Sequence, residues 1–119
     1  MENNENIGLD FEIDELTNSV RNITTNDSFQ TSISRITKAD LKTITKRKAW
    51  LFSWRQELSF PERDVFKLTI INNQSIIQGL NSLEVKSDHV FIHLVESAPF
   101  NKGKKKIYSG VPGNLVAFA

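Results

Sequence analysis

Near its end the chain reads Gly110-Val111-Pro112-Gly113-Asn114-Leu115-Val116-Ala117-Phe118-Ala119, a pattern suited to holding an anion. Pro112 fits the first position of a helix, because its ring sets φ and its missing N–H is not needed there. The amides of Gly113, Asn114 and Leu115 then have no partner inside the helix. A strand, a glycine-bearing turn and a bare helix N-terminus together make a seat for phosphate. Just ahead runs Lys102-Gly103-Lys104-Lys105-Lys106, a basic loop that could grip a cofactor's phosphates or RNA; a solvated loop is the commoner meaning of such a run. Tyr108 and Ser109 precede the turn, where either could contact phosphate or do nothing.

Other residues carry weaker chemical signals. His89 and His93 share one face of an expected strand, but two histidines without a third ligand read as packing or hydrogen-bonding groups, and no metal site is expected. Lys46-Arg47-Lys48 is a phosphate or nucleic-acid contact or, more commonly, a solvated helix end. Trp50-Leu51-Phe52 with Trp54 could stack on a ring, but core packing is the better account.

Composition narrows the field. A chain of 119 residues is one domain at most, and with 39% hydrophobic and 24% charged residues it is ordinary for a soluble protein. A net charge of +1 and no aromatics beside Lys102–Lys106 argue against nucleic-acid binding. With no cysteine there is neither a disulfide nor a thiolate metal site. No apolar run reaches membrane-spanning length, and the polar, acidic start is the reverse of a signal peptide, so a cytoplasmic location is expected. Charge is segregated: seven acids stand against Arg21 alone up to Ser34, and six bases against Asp40 alone from Arg35 to Lys48. The two segments could face each other, though surface pairs are individually weak.

The elements that must position these groups follow from periodicity. Residues 1–8 read as a flexible acidic tail, and 9–119 as one domain. Leu9, Phe11 and Ile13 alternate with acids as in a half-buried strand, and Phe29 to Ile36 reads as a second strand pairing with it around the polar, irregular or weakly helical stretch Asn18 to Asp27. Thr37-Lys38-Ala39-Asp40 resembles a capping box, predicting a helix with Leu41 and Ile44 inward. Phe60 to Arg63 is a turn. Strands over Val65–Ile71, Ile76–Val85 and His89–Glu96, joined by short polar turns, make an antiparallel meander. Gly79 falls where the alternation loses phase, which predicts a bulge there. The last strand is apolar on both faces and is therefore expected to be central. The class is α+β: N-terminal strands and a helix, the meander, then the start of a helix. Leu115 to Ala119 is wholly apolar and uncapped, which predicts a chain cut short rather than a finished domain.

Several phrases carry a resemblance: Trp50-Leu51-Phe52-Ser53-Trp54, Val65-Phe66-Lys67-Leu68-Thr69, Ile76-Ile77-Gln78-Gly79-Leu80, His93-Leu94-Val95-Glu96-Ser97-Ala98-Pro99-Phe100-Asn101, and Gly110 to Ala119. In order and spacing they resemble the first part of a GNAT-type N-acetyltransferase domain, in one small bacterial branch. The family motif, Gln/Arg-x-x-Gly-x-Gly/Ala-x-x-Leu, anchors on Gly110 with its leucine at Leu115. Ile107 replaces the Gln or Arg, and Pro112 occupies the second small position, where Gly113 could serve instead.

The resemblance implies a partial acyl-CoA N-acyltransferase-like fold, acetyl-CoA as cofactor, and a small-molecule or protein amine as acceptor. It implies cofactor contacts at Val95, Tyr108, Gly110, Val111, Gly113 and Asn114, and Glu96 as general base. An equal alternative is that Glu96 merely interacts with Lys102–Lys106. It also implies a last strand with an unpaired edge, a route to a homodimer. The competing function is a non-catalytic binding or assembly module that uses that edge.

Overall fold

The computed structural model describes residues 19–118. The tail over 1–8 and the strand expected over Leu9–Ile13 lie outside the described residues. Six strands form a curled antiparallel sheet: β1 (Ser19–Asn22), β2 (Ser28–Arg35), β3 (Asp64–Ile70), β4 (Gly79–Val85), β5 (Val90–Ser97) and β6 (Tyr108–Ser109), in the order β5-β4-β3-β2-β1-β6. Two α-helices, α1 (Trp54–Ser59) and α2 (Val111–Phe118), accompany them, with single 3-10 turns at Asp40–Lys42, Lys46–Lys48 and Pro99–Asn101. The class is α+β, and the three-strand meander β3-β4-β5 follows the expected order.

Side chains alternate across the sheet, so its two faces pack on separate cores. On one face Leu68, Ile70 and Val20 pack under Val111 and Leu115 of α2. On the other, Val65 and Leu80 meet Leu41, Ile44, Trp50 and Trp54 from the segment between β2 and β3. Trp50 and Trp54 are thus core residues, as expected, while Leu51 between them is 64% exposed.

Four expectations are corrected. Within the stretch read as irregular or weakly helical, Ser19–Asn22 instead forms β1, which pairs with β2. The Asn22 side chain then caps the reversal, accepting from the amides of Thr24 (2.9 Å) and Thr25 (3.0 Å). The capping box forms as read, with Thr37 N donating to Asp40 Oδ2 (2.8 Å) and Asp40 N to Thr37 Oγ1 (3.3 Å). It opens only a 3-10 turn, because the Thr43 hydroxyl donates to the Asp40 carbonyl (2.9 Å) and competes with helix propagation. The helix proper comes later. Ser53 caps α1 by accepting from Gln56 N (3.3 Å), and Pro61 limits it by disfavouring helical backbone at Phe60.

The other two corrections concern the meander. β5 ends the described sheet rather than lying in its centre. Its two apolar faces reflect a layer on each side: Leu94 packs on the tryptophan core and Val95 on the α2 core. Val90 and Phe91, beyond both layers, are 38% and 47% exposed. The bulge is not at Gly79. Ser82 pairs with Leu94 and Leu83 with Ile92, leaving His93 as the extra residue.

Gly79 serves close packing instead. A Cβ there would stand 2.7 Å from Val111 Cγ1, 2.9 Å from Leu115 Cδ1 and 3.1 Å from the Glu96 carbonyl oxygen. Gly79→Ala is therefore expected to lower stability by about 1–3 kcal/mol in urea titration, and Val111→Ala in the same chain to recover part of the loss. A Gly79→Ala midpoint equal to wild type would show that α2 does not lie this close.

Candidate functional site

The turn before α2 forms as the sequence implies, with a shift of one residue. Gly110 has φ +92°, a conformation open to glycine at no steric cost. The helix starts at Val111, so Pro112 is its second residue rather than its first. Asn114 N consequently bonds back to the Gly110 carbonyl (3.0 Å) and is not free to meet a ligand. Val111 and Gly113 supply the amides that find no backbone acceptor among the described residues, Pro112 between them having none to offer.

The side chains around this turn mostly face inward. Asn114, 1% exposed, donates from Nδ2 to the carbonyls of Ser19 (2.6 Å) and Gly110 (2.8 Å), and its Oδ1 accepts from the Thr31 hydroxyl (2.9 Å). It stitches α2 to β1 and β2. Val111 is fully buried and Gly113 buried, main chain included. Tyr108 pairs with Asn22 in the β1–β6 ladder, donates its amide to Asn101 Oδ1 (3.0 Å), and sets its ring edge-on to Phe29 at 6.1 Å. That ring borders a cleft of about 390 Å³ between Phe29, Ile70 and Asn73. Val95 joins the same core as Val111 and Leu115, which brings β5 and the start of α2 together.

Glu96 is separated from this group. Adjacent strand residues point to opposite faces, and Glu96 lies on the tryptophan side. Its side chain is 2% exposed and takes four donors: Leu51 N (2.5 Å), Phe52 N (3.3 Å), Trp54 Nε1 (2.8 Å) and Lys102 Nζ (2.6 Å). Burial acts to raise its pKa. The bonds from Lys102, Leu51, Trp54 and Phe52 outweigh burial and hold the carboxyl below its ordinary 4.5. A general base works best with a pKa near the working pH and an open lone pair. Glu96 has the opposite environment, so its geometry is that of a clamp, and the pairing with Lys102 is the alternative that the structure favours.

Sequence reasoning missed the lock beside it. Asn101 Nδ2 donates to Gln78 O (3.1 Å) and Oε1 (2.9 Å), and Ala98 N donates to the same carbonyl (2.9 Å). Both amide side chains are buried, and no local pattern marks residues 23 apart as partners. The histidines also do not gather: His89 Nδ1 lies 2.6 Å from Asp88 Oδ1 and His93 Nε2 lies 2.8 Å from Glu84 Oε1. Among the described residues no His, Asp and Glu side chains cluster as a metal site would need, and no helix is long and apolar enough to cross a membrane. Lys104, Lys105 and Lys106 are exposed and take no acid partner among the described residues, whereas Lys102 is held by Glu96.

Comparison with known proteins yields no match: no family model fits the chain, and no curated protein or solved structure is significantly similar to it.

Because the folded pKa of Glu96 lies below its unfolded value, its contribution to stability is complete above about pH 4.5 and is lost as pH falls through the folded value. Glu96→Gln is expected to cost about 2–3 kcal/mol at neutral pH and to flatten the acid limb of the stability curve. Urea midpoints measured from pH 7 to pH 3 check this. Parallel acid limbs for the two proteins would mean that the clamp contributes nothing.

Proposed function

We propose that the chain is an N-acetyltransferase-like domain that binds acetyl-CoA and would transfer its acetyl group to an amine. The observation that carries this reading is the succession of elements. A strand (β2), a helical segment ending in α1, three antiparallel strands (β3-β4-β5) and a glycine turn into α2 follow in the order the family resemblance implies. Helical layers cover both sheet faces, and among the described residues the amides of Val111 and Gly113 at the start of α2 find no backbone acceptor.

In this reading the exposed Lys104, Lys105 and Lys106 beside that turn hold the cofactor's phosphates by charge. Acetyl-CoA, when bound, would supply an activated thioester for acyl transfer to an amine. Glu96 acts as a positioning residue that holds the Trp50–Trp54 corner against β5. Val95 shapes the opposite face beside α2.

A second reading, a non-catalytic assembly module, is favoured by one observation. β5 is an end strand whose outer edge has no ladder partner among the described residues, and it carries exposed Val90 and Phe91 next to Val85, which is 71% exposed.

Titration calorimetry with acetyl-CoA is expected to give saturable binding that weakens at least tenfold in the triple variant Lys104→Glu, Lys105→Glu, Lys106→Glu, and that weakens with added salt. These side chains are exposed, so the fold is retained. Absence of heat at millimolar cofactor, together with a dimer in light scattering, would replace the acetyltransferase reading with the assembly one.

A further inference from the structure

On the tryptophan face of the sheet, away from α2, a cavity of about 150 Å³ opens between the 3-10 turn Lys46–Lys48 and the start of α1. Its rim carries Thr45, Lys46, Ser53 and Arg55, and its floor is apolar, with Ile44 and Phe52. From Leu41 to Gln56 the chain has five bases (Lys42, Lys46, Arg47, Lys48 and Arg55) and no acid. All five are exposed and none forms an ion pair among the described residues. Five cations elsewhere are matched: Arg35 with Asp64, Arg63 with Glu57, Lys67 with Asp40, Lys86 with Glu84, and Lys102 with Glu96. The acids that flank this stretch, Asp40 and Glu57, and the one that grips it from β5, Glu96, are therefore already taken by other bases.

The two rim hydroxyls point the same way. Thr45 Oγ1 accepts from Lys48 N (3.3 Å) and Ser53 Oγ accepts from Gln56 N (3.3 Å). Neither hydroxyl donates to a protein acceptor among the described residues, so each keeps its proton for a ligand. Every side-chain polar group on the rim is thus a donor, two of them cationic, above an apolar floor. The volume lies below the roughly 300 Å³ at which drug-sized sites begin and equals about five waters at about 30 Å³ each.

We infer that this cavity is a binding site for a small carboxylate with a short apolar body. The carboxylate meets Lys46, Arg55 and the two hydroxyl protons, and the hydrocarbon covers Ile44 and Phe52. Charge-assisted bonds from a planar guanidinium and an ammonium suit that head group. The site is independent of the acetyl-CoA reading, because it lies on the other face of the sheet and shares no residue with the turn before α2.

The test is a proton–nitrogen NMR titration of the whole chain with four probes: butyrate, 1-butanol, butylamine and inorganic phosphate. Butyrate is expected to move the amides of Thr45, Lys46, Ser53 and Arg55 saturably, at least tenfold tighter than butanol or phosphate, and butylamine to leave them in place. The exposed double variant Lys46→Gln, Arg55→Gln is expected to keep the wild-type spectrum elsewhere and weaken butyrate at least tenfold. Butyrate binding no tighter than butanol would overturn the ionic half of the proposal, and phosphate binding as tightly as butyrate the apolar half. Undiminished butyrate binding by the double variant would place the ligand elsewhere and overturn the whole.

Discussion

The carboxylate of Glu96 is the contact on which the arrangement of layers depends. It sits on β5, yet its four donors come from the Trp50–Trp54 corner and from Lys102 beyond the strand. A buried charge is costly unless its lone pairs are used. Here a corner more than 40 positions back and a lysine six positions on converge to use them. One residue thereby fixes where the chain leaves the helical layer, how Trp54 enters the core with no exposed surface, and where the strand hands over to the basic loop.

Neighbouring polar ties repeat the device on a smaller scale. Asn114 draws α2 to β1 and β2, Asn101 ties the turn after β5 to Gln78, and Asn81 Nδ2 donates to the Leu115 carbonyl (3.1 Å) within the second core. Each donates to a backbone carbonyl of another segment. The small α2 helix, eight residues long, is too short to be stable by itself. It is held by these ties and by the close approach that Gly79 allows.

The same economy separates two kinds of residue that look alike in sequence. Lys102 and Lys104 are neighbours in one basic run, but one closes a buried carboxylate and the other is exposed. Lys67 grips Asp40 through Oδ1 (3.2 Å) and Oδ2 (2.9 Å), while Lys46, Arg47 and Lys48 hold no acid among the described residues. Cations already neutralised serve the fold, and those left over define where an anion can be received. Both surfaces proposed to bind, one on each side of the sheet, rest on that distinction.

What the sequence determined by itself was local. Alternation and polar turns specified the meander β3-β4-β5, Thr37 and Asp40 specified their reciprocal cap, and Gly110 with Pro112 marked the turn into a helix. These features depend on residues within a few positions of one another, so they are written directly in the chain. Tertiary structure decided the rest. Gly79 looked like a bulge because its missing side chain breaks the alternation, and only the seating of α2 shows that the gap is filled. β5 looked central because both its faces are apolar, and only the two helical layers explain why an end strand needs that. Glu96 stood out through the family resemblance and Asn114 through its place at a helix start. Their side-chain partners, up to 95 positions away, are set by packing, since a buried polar group must be satisfied from whatever the fold brings within reach.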